Sequence, residues 1–339
     1  MNDTTPPPDL RERLPRAAGG TTGLRSLLTR EQIAELTRRS DWRGACAIAS
    51  TWAVIGATLW LLALWPHPLM WGVALVVIAG RQLALAILQH EAAHGTLFRT
   101  RWMNDVFGDW LCARPIWQDV RKYRAHHRRH HSATGSDADP DRSLIAPFPV
   151  SRAALSRKLL RDLTGMTGLK VLYGRLLMDA GVIRWTVAND VQRLPANGRR
   201  IHDYVVTALR NMLPMLIVNA GLFAILAVSG HAWLYGVWVL AYVTPFPVFV
   251  RIRSMAEHAC TERSADPLRN TRSTRAGWLA RATVAPFNVN YHIEHHLMAS
   301  VPYYRLPALR RLLRARGAVA PAPSYVDVLR IVSTPPAPG

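Results

Sequence analysis

The sequence predicts an all-α integral membrane protein, with four transmembrane helices in two hairpins, interfacial helices and a cytosolic histidine-rich cap. Three observations carry this reading. Four stretches with almost no charged residues are each long enough to cross a bilayer. The basic residues avoid those stretches and the turns between them. Nine of the 13 histidines fall in short clusters just outside the spans.

The 339 residues are 50% hydrophobic, and Lys+Arg 42 against Asp+Glu 22 gives a formal net charge of +20. By itself such an excess invites a nucleic-acid reading. Its placement along the chain points to a membrane instead. Cys46, Cys112 and Cys260 form no CxxC pair, which argues against disulfide scaffolds, zinc ribbons and thiolate iron–sulfur sites.

Residues 1–40 read as a polar, basic, cytosolic arm, disordered over 1–20, where Pro6-Pro7-Pro8 and Gly19-Gly20 sit; no cleavable signal is visible. The first span covers 45–65, about 31 Å as a helix against a bilayer core of about 30 Å. Pro66-His67-Pro68 turns the chain into the second span, 69–89, interrupted only at Arg81-Gln82. A second pair follows at 212–229 and 232–250, joined by Gly230-His231. Uncharged windows of this length are unlike soluble amphipathic helices, whose apolar face is only a stripe. Neither turn carries Lys or Arg, so the positive-inside rule puts both termini and the 90–211 segment in the cytoplasm. Trp65, Trp71 and Trp233 mark the turn side of the bilayer, and Trp42 the other. Between 151 and 200, Leu155, Leu159, Leu160, Leu163, Met166, Leu172, Leu176 and Leu177 recur at helical spacing among basic residues, the pattern of helices lying in the interface plane. The membrane unit is thus expected over 41–316, followed by a tail over 317–339 that is Pro/Ala-rich and disordered from Ala318.

The histidines carry the chemistry. His90 and His94 form HEAAH, His127, His130 and His131 form HRRHH, and His292, His295 and His296 form HIEHH; His258 stands alone after the fourth span. Spacings of three and four place side chains on one helix face. All nine lie on the side read as cytoplasmic. An all-imidazole set suits iron, copper or zinc and disfavours magnesium and calcium, which take oxygen ligands. Nine ligands exceed one ion's coordination sphere, so two ions are implied. His67, His126, His202 and His231 fall outside the pattern. Asp137, Asp139 and Asp141 read either as acceptors orienting histidines or as a solvated acidic turn, and Asn290 either as a donor near the last box or as a turn residue. Arg121, Lys122 and Arg124 read as charge near the lipid surface, or as contacts for an anionic headgroup or acidic carrier.

HEAAH, YRAHHRRHH with DADPD, RIRSMAEHA and NVNYHIEHHLMASVPYYRLP resemble the histidine boxes of the membrane fatty acid desaturase and hydroxylase superfamily, over about residues 40 to 312. The last phrase is similar to a bacterial branch near the sphingolipid and dihydrorhizobitoxine desaturases. The resemblance implies a non-haem centre of two iron ions held by His90, His94, His127, His130, His131, His258, His292, His295 and His296. It also implies dioxygen as co-substrate, a lipid or acyl substrate and a bacterial inner-membrane location. Where some relatives have an asparagine four residues before the lone histidine, this chain has Ser254, which puts an indirect tenth ligand in doubt. No HPGG occurs, so no cytochrome b5 domain is fused and electrons are expected from a separate carrier (ferredoxin, cytochrome b5 or similar) and its reductase. Desaturation is favoured, with hydroxylation or ketone formation on the same scaffold as the alternative. A remoter rival is a zinc metalloprotease, since HEAAH also fits HExxH with Glu91 as base.

Overall fold

The computed structural model describes residues 27–185 and 191–334. The arm expected to be disordered at 1–20 lies outside the described residues. Helix α1, Arg30–Leu36, opens on a reciprocal cap in which Gln32 N–H donates to Thr29 Oγ1 and Thr29 N–H to Gln32 Oε1. Helix α2, Asp41–Leu64, starts at Ser40, and α3, Pro68–His94, starts with Pro68 where a missing N–H leaves no bond unmade. Helix α3 therefore runs past the expected span and carries HEAAH on its last turn. It stops at Gly95, whose φ of +69° is open to glycine and unfavourable for most other residues.

Helix α4, Val120–Ala133, is capped by Asp119 and holds the second box. Helices α5, Arg152–Leu163, and α6, Met166–Asp179, follow, and a two-stranded antiparallel ribbon pairs β1, Ile183–Trp185, with β2, Val191–Arg193. Helix α7, Ile201–Val228, begins well before the expected span at 212. The stretch expected at 232–250 is divided into α8, Leu234–Val243, and α9, Pro245–His258. The backbone leaves helical geometry at Thr244, because Pro245 has no N–H to return to the preceding turn. Then come α10, His292–Leu297, α11, Leu306–Ala315, and α12, Tyr325–Val332.

Among the described residues, four helical stretches are long and apolar enough to cross a membrane, starting in Arg30–Leu64, Pro68–His94, Ile201–Val228 and Leu234–His258. With the family assignment below, this makes the chain an integral membrane protein. Ile55, Leu59 and Leu62 of α2 pack with Ala74, Ile78, Leu85 and Leu88 of α3 and with Val237 and Trp238 of α8. Helix α7 buries only Met215 and Leu226 and leaves Leu213, Ile217, Phe223 and Ile225 exposed, as a helix facing lipid does. Leu160, Leu163, Met166, Leu169 and Tyr173 of α5 and α6 are also exposed.

Within the described residues, the segments next to both chain ends form helices, and that of the tail departs from the disorder expected from Ala318. Helix α1 buries Leu36, with Leu28 just before it, against Leu306, Leu309 and Leu313 of α11. Helix α12 has its own capping box at Ser324 and Asp327 and buries Val328 and Val332 against Met255 and Ala256 of α9. Composition marked the tail as loose, but two valines on one face find an apolar partner in the folded chain.

Close helix approach depends on Gly80, where a Cβ would overlap the carbonyl oxygen of Ala282, whereas a Cβ on Gly56 meets open space. Gly80→Ala is expected to destabilise the protein by about 1–3 kcal/mol. Gly56→Ala is expected to be neutral or stabilising by up to about 1 kcal/mol. Thermal unfolding of the two variants in detergent micelles checks the contrast.

Candidate metal centre

Four separate segments deliver the nine box histidines to one place. The last turn of α3 supplies His90 and His94, α4 supplies His127, His130 and His131, α9 ends on His258, and α10 supplies His292, His295 and His296. They sort into a group of five (His90, His94, His127, His131, His295) and a group of four (His130, His258, His292, His296). Within each group the candidate ligand atoms all lie within 4.8 Å of one another. The groups adjoin where the rings of His131 and His296 stack at 4.2 Å.

The partition follows helix geometry. Positions four apart point the same way, so His90/His94 and His127/His131 stay together in the first group and His292/His296 in the second. His130 and His295 stand one residue from a box neighbour, about 100° around the helix, and each joins the opposite group.

The nitrogens are arranged as ligands. His131 Nε2 lies 3.0 Å from both His127 Nε2 and His295 Nε2, and His292 Nε2 lies 2.8 Å from His258 Nε2. Such separations match adjacent corners of a coordination shell with metal–nitrogen bonds of about 2.0–2.1 Å. Both ring nitrogens of His90, and Nε2 of His94 and His296, are buried without a hydrogen-bond partner. Unpartnered buried polar atoms are rare in folded proteins and call for an explanation, which a metal ion supplies here.

Outer contacts fix ring orientation, mostly in the group of four. His130 donates from Nδ1 to Asp139 Oδ1 at 2.8 Å, leaving Nε2 to face inward. His258 Nδ1 is 3.4 Å from the Asn270 carbonyl oxygen. His292 Nδ1 is 3.5 Å from Glu257 Oε1, which accepts from Arg253 Nε at 2.7 Å. Asp141 pairs with His126 Nε2 at 2.8 Å and lies 3.6 Å from His130 Nδ1. Asp137 turns away to Arg142 and Arg263. Asn290 braces the backbone of Thr274, donating from Nδ2 at 2.7 Å, and its Oδ1 is buried without a partner. Ser254 lies on α9 one turn before His258.

Burial, then the charge of neighbouring imidazoles, holds His127, His292, His295 and His296 well below the ordinary histidine range. The same causes push His131 down to about 2. Neutral imidazole is the form that binds metal. His130 goes the other way. Burial works to lower it, but the hydrogen bond to Asp139 and the charge of Asp141 outweigh that and raise it.

Several supporting residues carry no spacing signal in the sequence. Arg124 donates to the Ala93 and Ala92 carbonyls at 2.9 and 3.2 Å, satisfying the end of α3 beside His90 and His94. Lys122 reaches Asp179 at 3.3 Å, and Arg121 is exposed. Glu294, inside HIEHH, accepts from Ser273 Oγ at 2.6 Å and Arg310 Nη1 at 2.8 Å, tying α10 to α11. Glu91, inside HEAAH, accepts from Thr96 Oγ1 at 2.8 Å and from the Tyr303 amide at 3.0 Å. These bonds commit Glu91 to the scaffold, so it does not fit a protease's general base. The ring of Tyr123 stacks on His127 at 5.1 Å.

Asp139→Asn is expected to weaken binding of one metal ion by about 10–100-fold while the other keeps its affinity. Titration of metal-free protein with iron(II), read by bound metal per chain, resolves the two steps.

Comparison with known proteins agrees with this geometry. The fatty acid desaturase profile matches residues 66–325. Dihydrorhizobitoxine desaturase of Bradyrhizobium elkanii is 27% identical, over 83% of this chain and 78% of that protein. A beta-carotene ketolase of Paracoccus sp. (strain PC1) is 27% identical, over 78% and 90% respectively. The human sphingolipid delta(4)-desaturase/C4-monooxygenase is 28% identical, over 82% and 75%. With histidines on four segments gathered into two ligand groups at the ends of membrane-spanning helices, the chain belongs to the fatty acid desaturase family and is an oxidoreductase.

Proposed function

We propose that this enzyme uses dioxygen and two electrons to desaturate the acyl or alkyl chain of a lipid or lipid-like substrate at a centre of two iron ions. The carrying observation is the division of nine histidines, six buried and three half-buried, into groups of five and four. In this reading all nine are iron ligands, and Asp139 and Glu257 hold His130 and His292 in the ligating orientation. Bound iron would supply the activation of dioxygen needed to break unactivated C–H bonds. The protein keeps His127, His292, His295 and His296 neutral and positions the substrate chain.

Topology completes the proposal. The spans form two hairpins, with the metal centre, its cap and both termini on the cytoplasmic side of a bacterial inner membrane. The basic residues outside the spans support this orientation. Helices α5 and α6 lie in the interface plane, supported by their exposed leucines. Electrons come from a separate ferredoxin or cytochrome b5-like carrier and its reductase.

A second reading is hydroxylation or ketone formation on the same scaffold. The ketolase and the desaturase/monooxygenase among the relatives favour keeping it. The outcome depends on where the substrate carbon is held relative to the oxidant, a matter of small displacements.

Purified enzyme supplied with a reductase system and lipid substrates is expected to give products lacking two hydrogens. Products that gain one oxygen establish the second reading. His127→Ala and His295→Ala are expected to deplete iron, and Glu91→Ala to retain it; iron analysis of the three variants checks the ligand assignment, and full iron in the histidine variants overturns it.

A further inference from the structure

A groove of about 460 Å³ opens at the start of α2, lined by residues including Trp42, Arg43, Cys46, Ser50, Phe287 and Tyr303. Its volume falls in the range of sites that hold small-molecule ligands. Its outer wall is continuous with the lipid-facing side of α2. Cys46 and Ser50 are four residues apart, and the same stripe continues through the exposed Val54 and Leu61. Trp42 is 76% exposed at the first turn, where an aromatic ring marks the membrane–water boundary. An alkyl chain lying against this stripe reaches the groove without leaving apolar surroundings.

The inner wall leads to the metal centre. Phe287 and Tyr303 pack edge to face at 5.1 Å. The Tyr303 amide donates to Glu91, the residue after His90. Phe287 packs against the apolar cluster that includes Leu83 and Ile87, one to two turns before His90 on α3. The aromatic pair thus touches the groove on one side and the His90-bearing turns on the other.

The rim is cationic. Arg43 lies over the Tyr304 ring at 4.6 Å, and the structure gives it no carboxylate partner among the described residues. The nearby acids are occupied: Glu35 pairs with Arg305, and Asp41 with Thr100 and Arg99. A guanidinium without a carboxylate partner, beside an apolar slot at the bilayer boundary, matches a molecule with an anionic head and an alkyl tail.

We propose that the groove binds an anionic phospholipid of the surrounding leaflet, with its headgroup at Arg43 and its upper chain between α2 and the Phe287–Tyr303 pair. Taken with the proposed function, on which this clause rests, the substrate is a membrane lipid presented sideways rather than a water-soluble carrier ester.

Cys46 reports occupancy directly. The full chain in dodecylmaltoside micelles is treated with N-ethylmaleimide, and peptide mass spectrometry follows Cys46, with the exposed Cys260 as reference. Adding phosphatidylglycerol is expected to slow Cys46 modification relative to Cys260 by about fivefold, the size expected for one arginine at an anionic surface. Phosphatidylcholine is expected to leave the ratio unchanged. Arg43→Gln is expected to abolish the protection and Arg43→Lys to restore it, with an unaltered Cys260 rate showing an intact fold. Equal slowing by both lipids, no slowing by phosphatidylglycerol, or full protection in Arg43→Gln overturns the proposal. The readout needs no turnover: loss of protection in iron-loaded protein sinks the groove alone, and protection in a protein that binds no iron sinks the functional reading alone.

Discussion

Nine imidazoles packed into one buried volume are unstable as a set unless their inward nitrogens have something to bind, because each has lost water and several have no other partner. The structure around the histidines is organised by that constraint. Ring orientation has to be imposed from behind, at Nδ1, and the segments bearing the histidines have to be held against their tendency to separate. Asp139 and the Asn270 carbonyl do the first for His130 and His258, and Glu257 lies behind His292. Arg124 does the second at the end of α3.

The two ligand groups differ in their surroundings. In the group of four, Asp139 accepts from His130, which raises the basicity of that imidazole toward a metal. In the group of five, Glu91 gives Oε2 to Thr96 and Tyr303, and its Oε1 lies 3.6 Å from His90 Nδ1. The same residue type, placed inside two boxes, therefore serves the scaffold in both. Glu91 ties α3 to the segment after α10, and Glu294 ties α10 to α11. Buried ion pairs such as Arg310–Glu294 and Arg251–Asp162 are weak sources of net stability, since desolvation offsets most of the attraction. Removing one partner leaves a buried charge, so they fix which elements meet.

The spans and boxes were legible because both are one-dimensional patterns: runs without charge, and histidines at spacings of three and four. The helix ends were less so. Helix α7 starts before its apolar run because Ile201–Asn211 is amphipathic, and the fourth apolar run breaks at Pro245 although its hydropathy is continuous. Composition hides the helix in the tail, Tyr325–Val332. Helices α1 and α12 are held by apolar contacts to α11 and α9, far away in sequence. Arg124 looked like surface charge because the carbonyls it satisfies lie 31 and 32 residues earlier.

By itself the sequence determined the class of the protein: membrane-spanning, mostly helical, with nine histidines at the spacings of candidate metal ligands. Spacing along a helix is local, so sequence carries it. Only the tertiary structure decided which histidines face one another, and it sent His130 and His295 across to opposite groups. It also decided that Asp139, but not Asp137, supports a ligand, and that a groove joins the lipid-facing stripe of α2 to the Phe287–Tyr303 pair. Each of these depends on where helices distant in the chain end relative to one another, and packing sets that.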